Sequence, residues 1–211
     1  MKKYLFITIT LFTITSAYSQ TDSTKTNNSQ TAKGKKFIGG MLNNLTWKHT
    51  STSNGNINQL GLQIVPDFGY FIKDDFAIGA NLNIGIYNTH SNNLDINSTS
   101  YGIGGFARYY KKITDKFLFF ANAGVSYAYG TGRWGSSNIN EQVRSNTLSF
   151  AISPGLVYFI SPKFGLEASF GNLHYTHTSS ENITLAQKRQ SSDFGPSFNL
   201  ATFFFGLNYY F

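Results

Sequence analysis

The side chains best suited to catalysis lie between residues 173 and 193. His177 and Ser179 stand two positions apart, and the carboxylates Glu181 and Asp193 follow them. Catalysis by a serine nucleophile needs a histidine that takes the serine proton and a carboxylate that orients the histidine. This segment therefore contains every residue type that such catalysis requires.

The same segment has a plainer interpretation as a polar surface loop. Residues 176–192 are rich in Ser, Thr and Asn, so a His-x-Ser pair arises there easily by chance. The preceding alternation puts Leu166, Ala168 and Phe170 on the apolar face of a strand. If that strand persists, His177 and Ser179 point to its opposite, inner face. We therefore favour the polar loop and predict no catalytic residues.

Metal, cofactor and nucleic-acid chemistry find little support in the sequence. The chain has no cysteine, and its four histidines are His49, His90, His174 and His177. A structural metal site usually needs more His or Cys ligands close together, so we predict no metal. No glycine-rich phosphate loop opens a helix, and Lys and Arg lie in predicted loops and turns. We therefore predict no cofactor and no nucleic-acid partner.

The N-terminal residues are typical of a secretory signal peptide. Lys2 and Lys3 precede an apolar, threonine-rich segment at 4–14, and small residues follow at 16–19. This apolar segment is too short for a membrane-spanning helix, which needs about 20 residues, so an uncleaved anchor is the less favoured alternative. We predict a cleaved signal peptide at 1–20, a disordered, polar periplasmic lead-in at 21–36, and one domain at 37–211.

From residue 37 onward, apolar and polar residues alternate with a period of two, which is typical of β-strands. No later stretch approaches 18 consecutive apolar residues, so membrane-spanning helices are excluded. The hairpin at 60–76 recurs 88 residues later, with Pro66 matching Pro154 and Phe76 matching Phe164. The pattern predicts eight antiparallel strands. Because proline cannot donate a ladder hydrogen bond, we expect a bulge or kink at each proline.

The connections between these strands alternate in length. Short turns at 72–75, 111–116 and 160–163 separate longer polar segments at 48–58, 88–99, 130–146 and 176–197. Outer-membrane barrels typically have short turns on one rim and long loops on the other, and the rim with the short turns is periplasmic. The sequence therefore predicts an all-β, eight-stranded, antiparallel up-and-down transmembrane β-barrel.

The chemistry of the two strand faces favours a membrane barrel over a soluble one, which would hold its apolar row inside. Gly, Asn, Ser, Thr and Gln dominate the polar rows and are small enough for the narrow interior of eight strands. Aromatic residues gather on the apolar face beside the short turns, where rings favour the lipid headgroup level. This predicted periplasmic girdle consists of Tyr70, Phe76, Tyr109, Phe117, Tyr158 and Phe164.

Two further segments resemble a known family. The closing run with Gly206, Tyr209 and Phe211 resembles the signal that the barrel-assembly machinery recognises. The strand at 106–110 and the strand at 117–124 resemble the broad outer-membrane β-barrel domain family, which includes OmpX and the barrel portion of OmpA. The resemblance covers about residues 37–211. It implies the outer membrane of a Gram-negative-type bacterium, with lipopolysaccharide and the assembly machinery as partners.

Three charged residues fall on the inward rows of the predicted barrel: Asp67, Arg108 and Glu167. Buried charges need partners, so we predict a salt bridge from Arg108 to Glu167 or Asp67 in the lumen. The favoured role is a structural plug, because side chains fill an eight-stranded interior. A gate or a proton-linked pore is the alternative.

The resemblance is specific for architecture and weak for activity, because the family includes adhesins, structural proteins and lipid enzymes. We favour a non-enzymatic barrel that displays polar surface loops in a structural, adhesion or interaction role. One alternative is a lipid A-modifying enzyme, since the pair His177 and Ser179 is similar to the catalytic arrangement of lipid A deacylase barrels. That resemblance implies Ser179 as nucleophile, His177 as base, and Asp193 or Glu181 as the orienting group. Another alternative is a narrow channel or transport accessory. Loop residues available for lipopolysaccharide phosphates or a surface protein are Arg133, Trp134, Arg144, Lys188 and Arg189.

Overall fold

A computed structural model describes residues 29–52, 55–91, 94–136, 139–197 and 204–211. The predicted signal peptide at 1–20 lies outside these residues. The described part of the chain forms ten β-strands: β1 (Lys36–Thr52), β2 (Gly55–Lys73), β3 (Phe76–Ser91), β4 (Leu94–Lys112), β5 (Phe117–Ser136), β6 (Ile139–Phe159), β7 (Phe164–Ser169), β8 (Asn172–Asn182), β9 (Gln187–Ser197) and β10 (Phe204–Tyr210). No helix in these ranges is long and apolar enough to cross a membrane.

The strands close into a ring of eight positions. Each strand from β1 to β6 pairs with the next, and β10 pairs with both β7 and β1. β8 continues the course of β7 along β6, and β9 pairs with β8. The pairs β7/β8 and β9/β10 therefore occupy one barrel position each, although β9 has no second ladder partner within the described ranges. All pairings are antiparallel, so the predicted eight-stranded up-and-down barrel is confirmed.

The segments predicted as long polar loops are largely strand instead. The hairpin ladders reach Thr52 opposite Gly55 and Ser91 opposite Leu94, and the ladder of β5 and β6 ends only at Ser136. β8 and β9 pair as far as the turn at 183–186. Beyond the membrane both faces of a strand meet water, so the period-two signal fades while backbone pairing continues. The polar residues of these segments therefore indicate exposure to water on both faces, and they do not indicate a loop.

The lead-in also differs from its predicted disorder in the part that is described, 29–35. Thr31 is buried, and its hydroxyl donates to Asp75 in the turn between β2 and β3. The Gly34 amide donates to the Phe71 carbonyl at 2.8 Å, and the Lys33 amide donates to an Asp74 carboxylate oxygen at 2.7 Å. These short side-chain and backbone contacts fix the segment across the short-turn rim.

The outer face of the ring is apolar and the inner face is mostly small or polar. Large apolar side chains stand exposed on the outer row of every barrel position, including Ile38, Phe68, Ile78, Ile103, Val125, Phe150, Leu166 and Leu207. A continuous apolar exterior of this extent is unsuited to water. It matches the lipid-facing band of a membrane barrel.

Both repeated prolines interrupt the ladder to the following strand. Pro154 lies between the pairs Gly155–Ser169 and Ile152–Leu173, so β7/β8 carries one extra residue there. Gly171 takes up the bulge with a positive φ of 77°, which glycine adopts without steric cost. Pro66 lies in a break of the β2–β3 ladder. The missing proline N–H groups therefore coincide with gaps in pairing, as expected.

Glycines on the inner face make room for large rings. Phe37 lies directly opposite Gly69, Phe106 opposite Gly79, and Phe120 opposite Gly155 in the ladders. A Cβ atom on any of these glycines would overlap the facing ring. The interior row of small residues thus accommodates aromatic side chains from neighbouring strands.

We predict that Gly79→Ala weakens the barrel. The added methyl collides with the Phe106 ring and the Phe68 carbonyl, so the free energy of unfolding falls by about 1–3 kcal/mol. Urea unfolding of the refolded protein in detergent, followed on a heat-modifiability gel, measures this loss. Gly105→Ala is the matched control, because its nearest neighbour is the Gly79 carbonyl at 3.8 Å. Equal midpoints for the two variants would contradict the packing argument.

Candidate functional site

The three inward charges predicted from the sequence lie together inside the barrel. Arg108 Nη1 is 2.8 Å from Glu167 Oε2 and 3.0 Å from Oε1, while Nη2 is 3.5 Å from Asp67 Oδ2. Exposure is 3% for Arg108, 2% for Glu167 and 7% for Asp67. Strand parity explains the meeting, because β4, β7 and β2 each turn the charged residue to the inner face.

Neutral polar groups complete the contacts of this charge cluster. Asn208 Nδ2 donates to Glu167 Oε1 at 2.6 Å, and the Tyr210 hydroxyl donates to the same oxygen at 3.1 Å. Arg108 Nε donates to Asn122 Oδ1 at 3.1 Å. Since charge-assisted hydrogen bonds are the strong ones, the cluster joins β2, β4, β5, β7 and β10 across the lumen.

Aromatic rings surround the guanidinium of Arg108. Its central carbon lies 4.6 Å from the ring centroid of Phe120, 5.1 Å from Phe106, 5.4 Å from Phe37 and 5.9 Å from Tyr110, within cation–π range. Phe106 and Tyr110 share the inner row of β4 with Arg108, whereas Phe37 and Phe120 come from β1 and β5. Buried apolar side chains that fill this half of the lumen are Phe37, Phe71, Phe106, Tyr110, Leu118, Phe120, Val157, Phe159 and Tyr210.

The cluster holds two carboxylates and one guanidinium. Asp67 Oδ1 and Asn208 Oδ1 are buried and have no hydrogen-bond partner within the described residues. Both residues lie opposite Gly39 in the two ladders of β1. Two acceptors over a residue without a side chain favour a hydrogen-bond donor in that space, so this is the least satisfied point of the lumen.

The predicted inward direction of His177 and Ser179 is wrong. His177 lies opposite Leu148 and Ser179 opposite Asn146, on the outer row that includes Tyr175. The extra residue at the Gly171 bulge shifts the alternation by one, which turns every later side chain of β8 to the other face.

The histidines of β8 take partners on opposite faces of the sheet. His177 Nδ1 lies 2.9 Å from Ser192 Oγ on the outer face. His174 Nε2 lies 2.9 Å from Asp193 Oδ1 on the inner face. The other candidate carboxylate, Glu181, lies 3.6 Å from a lysine ammonium of β9. Within the described residues, the suggested nucleophile, base and orienting carboxylate are therefore not brought together.

The remaining histidines are also engaged with polar neighbours. His49 Nδ1 lies 2.6 Å from Asn58 Oδ1, and His90 contacts Asp95. The described residues contain no cluster of three or more His, Cys, Asp or Glu side chains that could hold a metal ion.

The residues of the predicted periplasmic girdle lie on the outer face beside the short turns. The rings of Phe117 and Tyr158 are 4.7 Å apart between centroids, and Phe76 lies opposite Tyr109 in the ladder. Tyr70 is exposed at the same rim. The geometry supplies an aromatic row at one end of the apolar exterior, which is the position of an interfacial girdle.

The predicted assembly-signal residues continue this row. Phe164 is 5.1 Å from Tyr209, and Tyr209 is 5.7 Å from Phe211, between ring centroids. Gly206 lies opposite Glu167 in the ladder of β10 and β7. Tyr209 and Phe211 thus lie on the outer face, whereas Asn208 and Tyr210 turn their side chains inward to the charge cluster.

The predicted basic surface residues fall into different places. Arg133 and Arg144 are exposed on the outer row of β5 and β6. Trp134 is half exposed and lies on the inner row. It lines a cavity of about 520 Å³ in the half of the barrel away from the short turns. Lys188 is beside Glu181, and Arg189 is exposed on β9.

Solved structures with this architecture come from outer membranes. No protein-family model and no curated protein matches the sequence. The outer membrane protein OprG from Pseudomonas aeruginosa is 14% identical with a TM-score of 0.50, over 87% of this chain and 99% of that chain. Ail, the attachment invasion locus protein of Yersinia pestis, is 12% identical with a TM-score of 0.47, over 85% of this chain and 99% of that chain. The Neisserial surface protein NspA is 16% identical with a TM-score of 0.44, over 83% of this chain and 94% of that chain.

The likeness to OprG concerns the fold alone and leaves activity open. The likeness to OprG agrees with the closed ring of strands and with its apolar exterior. The chain therefore has the fold of an integral outer-membrane β-barrel, the architecture and location predicted from its sequence.

We predict that Arg108→Met strongly destabilises the barrel. Glu167 and Asp67 would stay buried without a cation, which costs about 3–5 kcal/mol of unfolding free energy. Urea titration of the refolded protein measures the loss. The double variant Arg108→Met with Glu167→Gln should recover part of it, and Arg189→Met, at an exposed site, should match the wild type. An unchanged midpoint for Arg108→Met would refute a stabilising charge cluster.

Proposed function

We propose that the protein is a non-enzymatic outer-membrane scaffold that displays paired β-hairpins at the cell surface, in a structural, adhesion or interaction role. The observation that carries this proposal is the length of the strands beyond the apolar belt. The outer row of β5 is apolar or aromatic from Phe117 to Tyr129, a rise of about 30 Å along a tilted barrel. β5 then continues to Ser136, roughly 18 Å further.

The projecting hairpins present polar side chains on a stiff framework. β8 and β9 stay paired up to Asn182 and Gln187, and nearly every residue of β9 is exposed. Paired strands hold side chains in fixed positions. Binding to a paired hairpin therefore costs less conformational entropy than binding to a mobile loop, which must be ordered first. This rigidity supports an interaction role for the surface that the hairpins form.

The channel alternative is opposed by the filled lumen. The Arg108 cluster and the surrounding rings occupy the half of the barrel next to the short turns. The lipid-modifying alternative lacks a carboxylate hydrogen-bonded to His177 among the described residues, since its Nδ1 partner is Ser192. The outer position of His177 and Ser179 removes one objection to the lipid-modifying alternative, but it supplies no orienting carboxylate.

We predict closed recordings in planar lipid bilayers. Because buried aromatic and charged side chains fill the short-turn half of the lumen, the wild type should show no resolvable single-channel steps. Arg108→Met with Glu167→Gln, if it folds on a heat-modifiability gel, is the informative comparison. Steady ion conductance of the wild-type barrel would instead support the channel alternative.

We predict that the turn at 183–186 faces the cell exterior and the turn at 113–116 faces the periplasm. An epitope inserted at Leu185 should be labelled by antibody on intact cells. The same epitope inserted at Asp115 should be labelled only after the outer membrane is permeabilised. Asp115 accepts from Lys112 Nζ at 2.6 Å, a hydrogen bond that lowers its pKa, and the turn is otherwise exposed. The reverse labelling pattern would overturn the proposed display.

A further inference from the structure

A polar groove of about 410 Å³ lies on the outer surface of the barrel, where β3 to β6 leave the apolar belt. Its lining includes Asn88, Asn97, Thr99, Thr131, Arg133 and Arg144. Arg133 and Arg144 occupy diagonal positions on neighbouring strands, because Arg133 pairs with Gln142 and Thr131 pairs with Arg144. Diagonal residues stand about 7–8 Å apart, within joint reach of two long side chains.

The groove begins where the outer rows change from apolar to polar. Ile86 precedes Asn88 on β3, Tyr101 precedes Thr99 along the outward direction of β4, and Tyr129 precedes Thr131 on β5. The apolar exterior of β5 spans about 30 Å from the girdle residue Phe117 to Tyr129, close to the lipid-facing band of a barrel. The groove therefore lies at the headgroup level of the leaflet opposite the short turns.

The side chains that line the groove are net positive, and the acids on adjoining outer positions, Glu181 opposite Arg144 and Asp95 diagonal to Arg133, contact Lys188 and His90. The lining holds two guanidiniums and no carboxylate, and neither arginine forms an ion pair with a described acid. Thr99 and Thr131 share a hydrogen bond of 3.0 Å at the lower end and carry hydroxyl groups into the same space.

We propose that this groove binds a phosphate group of an outer-leaflet glycolipid, with Arg133 and Arg144 as the phosphate ligands. Guanidinium forks suit phosphate oxygens, and a phosphate at this height leaves the acyl chains against the apolar row below. That row contains Tyr101, Ile103, Tyr127 and Val125 on β4 and β5. The assignment rests on the proposed display function, because it needs the long hairpins to emerge from the outer leaflet.

Native mass spectrometry of the barrel in phosphatidylcholine nanodiscs tests the assignment. The discs contain a minor fraction of either diphosphoryl lipid A or its dephosphorylated form, in both leaflets. The wild type should retain the phosphorylated lipid in preference. Arg133→Gln with Arg144→Gln should reduce that retention about tenfold or more, since two charge-assisted contacts are lost.

Lys48→Gln with Arg189→Gln is the matched control, because it removes the same charge from exposed positions outside the groove and leaves Glu181 beside Lys188. Retention by this variant should equal that of the wild type. Equal losses in both double variants, or no preference for the phosphorylated lipid, would overturn the assignment. Displacement of the lipid by inorganic phosphate would also overturn it, by indicating a site for free phosphate.

The lipid assay and the epitope assay fail independently. Both leaflets of the nanodisc carry lipid A, so retention is measured whichever rim faces the cell exterior. Reversed epitope labelling with retained lipid would reject the display function and the outer-leaflet location, and would leave only a phosphate-binding groove. Correct labelling with unselective lipid retention would reject the phosphate site alone. A heat-modifiability gel on each double variant establishes that the barrel has folded before either result is interpreted.

Discussion

The contact between Arg108 and Glu167 inside the barrel is the constraint on which the rest of the structure depends. Lipid is apolar everywhere along the belt, so outward side chains distinguish one strand register from another only weakly. A two-residue slip would keep apolar residues outside but would separate the guanidinium from its carboxylate. Because an unpaired buried charge is costly, the cluster with Asp67, Asn122, Asn208 and Tyr210 selects one register across five strands.

The charge cluster in turn depends on the small residues around it. Four rings shield the guanidinium from water, and three of them lie over glycines of the next strand. On the wall toward the long hairpins, Gly85 and Gly130 face serine hydroxyls in place of such rings, and a cavity lies there. The small residues of the inner rows therefore accommodate rings in the half of the lumen next to the short turns, and they leave a cavity in the half next to the long hairpins. This asymmetry agrees with a barrel that is sealed on its short-turn side.

Strand number, face assignment and the meeting of Arg108 with Glu167 and Asp67 were predictable, because lipid imposes strict alternation and buried charges require partners. The inner rings were harder to assign. Phe117 to Phe120 is apolar on both faces beside the rim, so the sequence does not say which ring points inward. The projecting hairpins were interpreted as loops because strands with water on both faces lose their period. Thr31 was placed in a disordered segment, since its partner Asp75 is remote in sequence.

The error at His177 has a more specific cause, which also connects the lumen to the surface. Pro66 and Pro154 each interrupt the ladder to the next strand, but only the second interruption adds a residue. That residue is invisible to an alternation count, and it exchanges the two faces of β8 beyond Gly171. His174 and Asp193 consequently meet inside, and His177 and Ser192 meet outside. The bulge at Gly171 thus decides which polar side chains of the β8–β9 hairpin lie on the outer face of the barrel and which lie on its inner face.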